Sequence, residues 1–219
     1  MSKRIFITRS QTSESYFYAL LTQAGHEVIG ESLIDFSPIP FILPKDADVL
    51  FFYSRKGVQY FFSQIKQIPK MKFACMGQGT ADELIKINII PDFIGDGNPK
   101  KTAELFKVFL GERKAVFIHA ENSKKSIQKI LNNSINHFGI IAYSNQKKKE
   151  FNHPNADVLV FTSPMNVEAY FNFFSIKKEK IIAIGNTTAN KLKELKINNF
   201  FISDFPSEKS LAEKVFELI

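Results

Sequence analysis

Ala47-Asp-Val-Leu-Phe-Phe-Tyr-Ser-Arg-Lys-Gly-Val-Gln-Tyr-Phe-Phe62 returns later in the chain as Ala156-Asp-Val-Leu-Val-Phe-Thr-Ser-Pro-Met-Asn-Val-Glu-Ala-Tyr-Phe171, identical at 8 of 16 positions. A second stretch behaves alike: Met76-Gly-Gln-Gly-Thr-Ala81 is answered by Ile184-Gly-Asn-Thr-Thr-Ala189. Ala47 to Ala156 is 109 residues and Met76 to Ile184 is 108, so a single gap separates the two alignments. Solenoid units run to roughly 20–50 residues, well short of this period. The repeat therefore marks two copies of a whole domain, and a ligand cleft is expected where two such copies face each other.

Composition agrees with two domains. The chain has 219 residues, which divides into two units of ordinary size, each of roughly 100 residues. Hydrophobic content of 44% with 23% charged residues is that of a globular protein. No apolar run reaches the roughly 18 residues that span a bilayer. Met1-Ser-Lys-Arg-Ile-Phe-Ile7 passes straight into a strand-like segment without the apolar core of a signal peptide. A single cysteine, Cys75, excludes an internal disulfide. Together these features predict a cytoplasmic protein that does not enter membranes. The net charge of +7 favours an anionic partner. Basic residues do not gather into a nucleic-acid footprint, however, and the one run of three, Lys147-Lys-Lys149, fits a solvated connector. A polyanionic small molecule suits the charge equally well.

Short apolar runs alternate with helix-period segments, the pattern of an α/β fold with parallel sheets. Strands are predicted at 4–8, 27–33, 49–53, 73–76, 89–94, 115–119, 139–143, 158–162, 181–184 and 200–203. Leu105, Phe106, Phe109 and Leu110 should share one helix face, as should Leu211, Ala212, Val215 and Phe216. Asn98-Pro99 opens the former helix with an N-cap and a first-turn proline, and Gly25 closes the first helix.

Two segments interrupt the alternation. Phe36-Ser-Pro-Ile-Pro-Phe-Ile-Leu-Pro44 carries three prolines; Ser144-Asn-Gln-Lys-Lys-Lys-Glu-Phe-Asn-His-Pro154 is polar and basic. Each precedes an Ala-Asp-Val-Leu strand, so they are equivalent connectors. The residues before the first make one βαβ unit, too small to bury a core alone. They must pack with the segment after the second. Domain one is thus predicted as residues 1–36 plus 152–219 and domain two as 42–144. Segments 37–41 and 145–151 connect them, the chain crossing twice, with five strands in each domain.

In open parallel sheets ligands lie beyond the carboxyl ends of strands, where helices begin. Four turns stand there: Thr8-Arg9-Ser10, Tyr53-Ser54-Arg55, Gly77-Gln78-Gly79-Thr80 and Gly185-Asn186-Thr187-Thr188; Thr162-Ser163-Pro164 is the second-copy partner of the Ser54 turn. Small and hydroxyl residues leave main-chain N–H groups open to carboxylates or phosphates. Taken singly, each turn also has a structural explanation, glycine shaping the βα turn and the hydroxyl capping the helix. Gly77-x-Gly79 lacks the third glycine of a dinucleotide fingerprint. His26, His119, His137 and His153 show no metal-ligand spacing, and Cys75 reads as a small hydrophobe in a buried strand. Tyr143 closes a predicted strand just before the second connector, which would free its hydroxyl to donate a hydrogen bond to a departing oxygen; packing at a strand end is its bland alternative.

Assembled, these residues resemble the uroporphyrinogen-III synthase family. The likeness rests on Ile7-Thr8-Arg9, Phe52-Tyr53-Ser54-Arg55-x-Gly57-Val58, Met76-Gly77-x-Gly79-Thr80-Ala81, Tyr143, Phe161-Thr162-Ser163-Pro164 and Ala183-Ile184-Gly185-x-Thr187-Thr188-Ala189. Each motif is short, and their order across the whole chain carries the specificity. The resemblance implies two flavodoxin-like α/β domains joined by a two-stranded connector. It also implies a monomeric, cofactor-free and metal-free lyase that cyclises the polycarboxylate hydroxymethylbilane to uroporphyrinogen III. By position, Tyr143 matches the tyrosine proposed to assist loss of hydroxyl. Arg9, Ser54, Arg55, Gly77, Gly79, Thr80, Ser163, Gly185, Thr187 and Thr188 match substrate-binding positions. The chain departs from the pattern at Ser10, where proline is common, and at His119-Ala-Glu-Asn122, where a glycine- or arginine-containing turn is usual. Two other classes fit the residues alone: a hinged non-enzymatic binding protein for an anionic metabolite, and a two-domain sugar transferase, which would need a longer chain and clearer diphosphate-binding residues.

Overall fold

A computed structural model describes residues 1–219. In chain order the first elements are β1 (Arg4–Ile7), α1 (Tyr16–Gln23), β2 (Glu27–Gly30), β3 (Ile34–Pro38), β4 (Val49–Phe52), α2 (Arg55–Phe62), β5 (Lys72–Cys75), α3 (Gln78–Ile85), β6 (Phe93–Ile94) and α4 (Pro99–Leu110). There follow β7 (Ala115–Ala120), α5 (Ser126–Leu131), β8 (His137–Lys147), β9 (Val158–Phe161), α6 (Pro164–Phe171), β10 (Lys180–Ala183), α7 (Asn186–Glu194), β11 (Phe201–Ile202) and α8 (Glu208–Leu218). Residues Met1–Asp35 with Gln146–Ile219 form one compact unit, and Phe36–Asn145 form another. No helix is long and apolar enough to cross a membrane.

Each unit is built on its own α/β sheet flanked by helices. The discontinuous unit has strand order β11-β10-β9-β1-β2, and every pair is parallel. Counted along the chain this is the flavodoxin-like order 2-1-3-4-5. The second sheet runs β3-β8-β7-β4-β5-β6, parallel from β8 to β6. If β4 and β9, the two copies of Ala-Asp-Val-Leu, are each numbered first, both units read 3-2-1-4-5. The strands numbered fourth and fifth in the discontinuous unit are β1 and β2, supplied by the start of the chain.

The repeated aspartate shows why the copies keep one geometry. Asp48 accepts the Lys114 N–H through Oδ2 (2.8 Å), fastening the start of β7 to β4; Asp157 accepts the Arg4 N–H in the same way (2.9 Å), fastening β1 to β9. Helix ends repeat too. After α3 and α7, Asn88 and Lys196 take positive φ (60° and 62°) while the next residue's N–H reaches back to Leu84 and Leu192. Gly25 (φ 84°) closes α1 with the same reach from His26 to Leu21.

Packing follows strand alternation. Val49-Leu-Phe-Phe52 is fully buried because both faces of its sheet are covered. Leu50 and Phe52 join Val58, Phe61 and Leu84 on one face; Val49 and Phe51 join Phe106, Phe117 and Ile127 on the other. In the discontinuous unit Ile5, Ile7, Val158, Val160 and Ile182 pack with Phe17, Leu21, Leu211 and Val215.

Four expectations need correction. The second sheet has six strands rather than five, because the proline-rich segment begins as a strand, β3, with Pro38 only at its end. The strand predicted at 89–94 shrinks to Phe93–Ile94, since Pro91 has no N–H for the ladder. Tyr143 does not close a strand: β8 continues through the polar Ser144–Lys147, where Ile39 N–H donates to Ala142 O (3.0 Å) and Lys148 N–H to Leu33 O (2.9 Å). Leu105 and Phe216 are exposed, leaving Thr102, Ala103, Phe106 and Leu110, and Ser210, Leu211, Ala212 and Val215, as the buried stripes.

Candidate functional site

Beyond the carboxyl ends of β4 and β5 lies a hollow of about 430 Å³, lined by Tyr53, Ser54, Arg55, Met76, Gly77, Gln78, Gly79, Thr80, Asp96 and Gly97. Three turns of neighbouring strands form it. Ser54 is the N-cap of α2, and its Oγ accepts the Gly57 N–H (3.1 Å). Gly77 begins α3 with no side-chain cap, so the first N–H donors of that helix have no partner of the usual kind. Helix starts carry partial positive charge, and Arg55 adds a full one at the first position of α2. The hollow is thus suited to carboxylates. Its one acid, Asp96, is held below the usual carboxylate range by the Asn98 N–H, then by Lys101 and Thr102, and its charge is turned toward those partners.

Gly95, just before the lining residues Asp96 and Gly97, is packed against Met76 and Thr102. A Cβ placed there would lie 2.6 Å from the Met76 carbonyl and 2.4 Å from Thr102 Cγ2, so no larger residue fits without moving backbone. Gly95→Ala should cost about 1–3 kcal/mol, the usual penalty for overpacking, read from the shift in denaturation midpoint.

Tyr143 reaches this site through Ser54. The two hydroxyls are 3.0 Å apart, and either can donate. Tyr143 is buried, and that burial is the main cause raising its phenol above the ordinary value; the Ser54 bond opposes the shift and Tyr60 adds to it. The phenol therefore keeps its proton at neutral pH. Tyr53, from the same turn as Ser54, points elsewhere: its hydroxyl accepts the Gln128 N–H (3.1 Å) at the start of α5, and burial pushes its pKa up to about 12.

Of the predicted residues, the structure brings together Ser54, Arg55, Gly77, Gly79 and Thr80, with Tyr143 adjoining. Ser163, Gly185, Thr187 and Thr188 occupy the equivalent places in the discontinuous unit. Ser163 caps α6 with nearly the same backbone angles as Ser54 (φ −162°, ψ 158° against −158°, 160°). Its Oγ is met by the Asn166 N–H and by Asn166 Nδ2 (2.9 Å), where Ser54 meets a tyrosine. Gly185, like Gly77, begins its helix uncapped. Thr188 is buried with no hydrogen-bond partner for its hydroxyl, whereas Thr187 is exposed. Arg9 pairs with Glu208 at 3.8 Å, and Glu208 also accepts the Phe17 N–H. Next to it, Thr8 and Thr162 lock β1 to β9: the Thr162 N–H donates to Thr8 Oγ1 (2.9 Å) and Thr162 Oγ1 donates to the Thr8 carbonyl (2.8 Å).

His119 is buried against Tyr53, with Nδ1 on the Ala120 carbonyl (2.8 Å), and burial lowers its pKa; it packs as a neutral ring. Cys75 is buried and its thiol is pushed up to about 11. Sequence reading passed over the Gly95-Asp-Gly97 turn, although two glycines just after a predicted strand are the signal that marks Gly77 and Gly79.

The family model described as uroporphyrinogen-III synthase HemD matches residues 15–213. Among solved structures, the uroporphyrinogen-III synthetase of Helicobacter pylori aligns over 100% of both chains at 19% identity, with a TM-score of 0.79. A triple mutant of the uroporphyrinogen III synthase of Thermus thermophilus aligns over 99% of this chain and 98% of its own, at 16% identity and a TM-score of 0.62. At such identities the structural likeness speaks for the fold. No curated protein matches the sequence.

Proposed function

The chain belongs to the uroporphyrinogen-III synthase family, and from that premise we propose that it cyclises linear hydroxymethylbilane to uroporphyrinogen III with inversion of the last pyrrole ring. The observation that carries the proposal is the Ser54–Tyr143 hydroxyl pair beside a hollow walled by two helix starts. A protonated phenol is an acid that can assist loss of a hydroxyl. In the first step the terminal C–O bond breaks, the pyrrole nitrogen supplies the electron pair, and the Tyr143 proton leaves with the oxygen as water. Ser54, already held by the Gly57 N–H, can then donate its own proton toward the phenolate. The resulting protonated azafulvene is attacked by the substituted carbon of the last ring, and the spiro product fragments, recloses inverted and loses a proton, which returns to the Tyr143 phenolate.

Hydroxymethylbilane closes without help to the uninverted isomer, so the protein's task is chiefly to hold the chain bent. Uncapped helix starts at Gly77 and Gly185, with Arg55, supply donors for its carboxylates. The proposed site residues are therefore Tyr143 as acid and Arg9, Ser54, Arg55, Gly77, Gly79, Thr80, Ser163, Gly185, Thr187 and Thr188 as binding positions. Because binding is spread over many donors, no single serine or threonine should dominate.

The test is to supply enzymatically made hydroxymethylbilane, oxidise the products and resolve the porphyrin isomers. Isomer III in excess of a protein-free control is expected. Isomer I alone would reject the proposal and leave a binding role.

A further inference from the structure

Tyr143 is gripped at three points by a single helix, α2, and the turn that ends it. Ser54, its N-cap, meets the Tyr143 hydroxyl. Six residues on, the Tyr60 ring stacks on the Tyr143 ring, centroids 5.3 Å apart and planes within 18°. One further turn along, Gln64 Nε2 donates to the carbonyl of Ala142, the residue before Tyr143 (3.0 Å), and to the Tyr60 carbonyl (2.8 Å). The stack is backed by Phe36 of β3, whose ring lies 6.5 Å from Tyr60 and 6.1 Å from Tyr143, and whose carbonyl accepts the Tyr60 hydroxyl (3.1 Å).

A phenol bound only through its oxygen can still swing about Cβ. A second ring held parallel removes that freedom, and offset stacks are a stable way to do so. Ring and backbone are anchored to the same helix that places Ser54, so hydroxyl and partner keep their spacing even if β8 shifts. We propose that Tyr60 is a positioning residue for the reaction, setting the direction of the Tyr143 hydroxyl through its ring, with Gln64 fixing the backbone beneath. This rests on the functional reading above, in which Tyr143 supplies the proton.

The test is a set of mutant cycles read as isomer III formed from hydroxymethylbilane. Tyr60→Leu should lower kcat about 10-fold with KM changed by less than about 3-fold, the signature of an interaction used in the transition state rather than in binding. Tyr60→Phe, which keeps the ring and loses only the bond to Phe36, should stay within about 3-fold of wild type. In a Tyr143→Phe background, Tyr60→Leu should change the rate by less than about 2-fold, because a residue acting through a hydroxyl has nothing left to act on. An equal loss in both backgrounds would overturn the assignment, as would wild-type kcat in Tyr60→Leu. If Tyr60→Leu lacks a cooperative thermal transition, Gln64→Met takes its place in the same cycle under the same criterion. A wild-type chain that forms no isomer III overturns the functional reading and this role together, and is distinguished by the wild-type arm alone.

Discussion

Tyr143→Phe should slow isomer III formation by about 10-fold or more, the low end for loss of a general acid and a drop of at least about 1.4 kcal/mol in transition-state stabilisation. The substitution removes one oxygen and little else. The ring keeps its stack on Tyr60 and its contact with Phe36, and Ser54 keeps the Gly57 N–H. A large effect on turnover with a small effect on stability therefore separates chemistry from packing. The pH profile gives a second check. Burial raises the phenol above its ordinary value near 10, so the group stays protonated, and active as an acid, through neutral and mildly alkaline pH. Activity assigned to Tyr143 should fall only on the alkaline side of about pH 10, and Tyr143→Phe should abolish that limb. Steady-state rates of wild type and variant across pH measure both, and a variant with wild-type turnover removes Tyr143 from the mechanism.

Much of this hollow's lining is legible in the sequence, because duplication repeats constraints as well as residues. Ser54 and Ser163 recur since each must cap a helix directly after a strand; Gly77 and Gly185 recur since each helix starts without a side chain in the way. Asp48 and Asp157 recur for a reason the sequence does not disclose, the fastening of a neighbouring strand that is distant along the chain. Long-range pairing explains the misses as well. Prolines in Phe36–Pro44 and lysines in the second connector suggest loops, yet β3 and β8 hydrogen-bond through part of both segments, and pairing overrides local preference. Tyr143 thereby moves from a strand end to a strand interior, and its hydroxyl from open space to Ser54. Tyr60 and Gln64 read as part of an amphipathic helix, and nothing nearby in sequence points to Tyr143, 83 residues after Tyr60. Leu105 shows the converse limit: an apolar residue beside a buried stripe that the fold leaves at the surface.

Phe117→Ala should be the costliest single change to stability, at about 3–5 kcal/mol, against the roughly 5–15 kcal/mol that typically separates a folded domain from its unfolded chain. Phe117 lies in β7, with neighbouring strands on both sides, and is fully buried. Its ring touches Phe51 (5.1 Å), Phe106 (5.7 Å), Tyr53 (5.8 Å) and His137 (5.5 Å), drawn from β4 and the turn after it, from β8 and from α4. Removing it leaves a void no single neighbour can fill, since Phe51 and Phe106 are already packed edge to face at 4.8 Å. The effect should also reach the site. Tyr53 loses one of the rings that hold it, and Tyr53 leads directly into Ser54 and Arg55, so the hollow beyond β4 should loosen and KM rise. Urea unfolding of wild type and Phe117→Ala measures the first, with Phe173→Ala, at a half-exposed ring, expected to cost far less. A loss below about 1 kcal/mol at Phe117 would mean the aromatic cluster does not hold this face of the sheet, and the expected rise in KM would lose its physical basis.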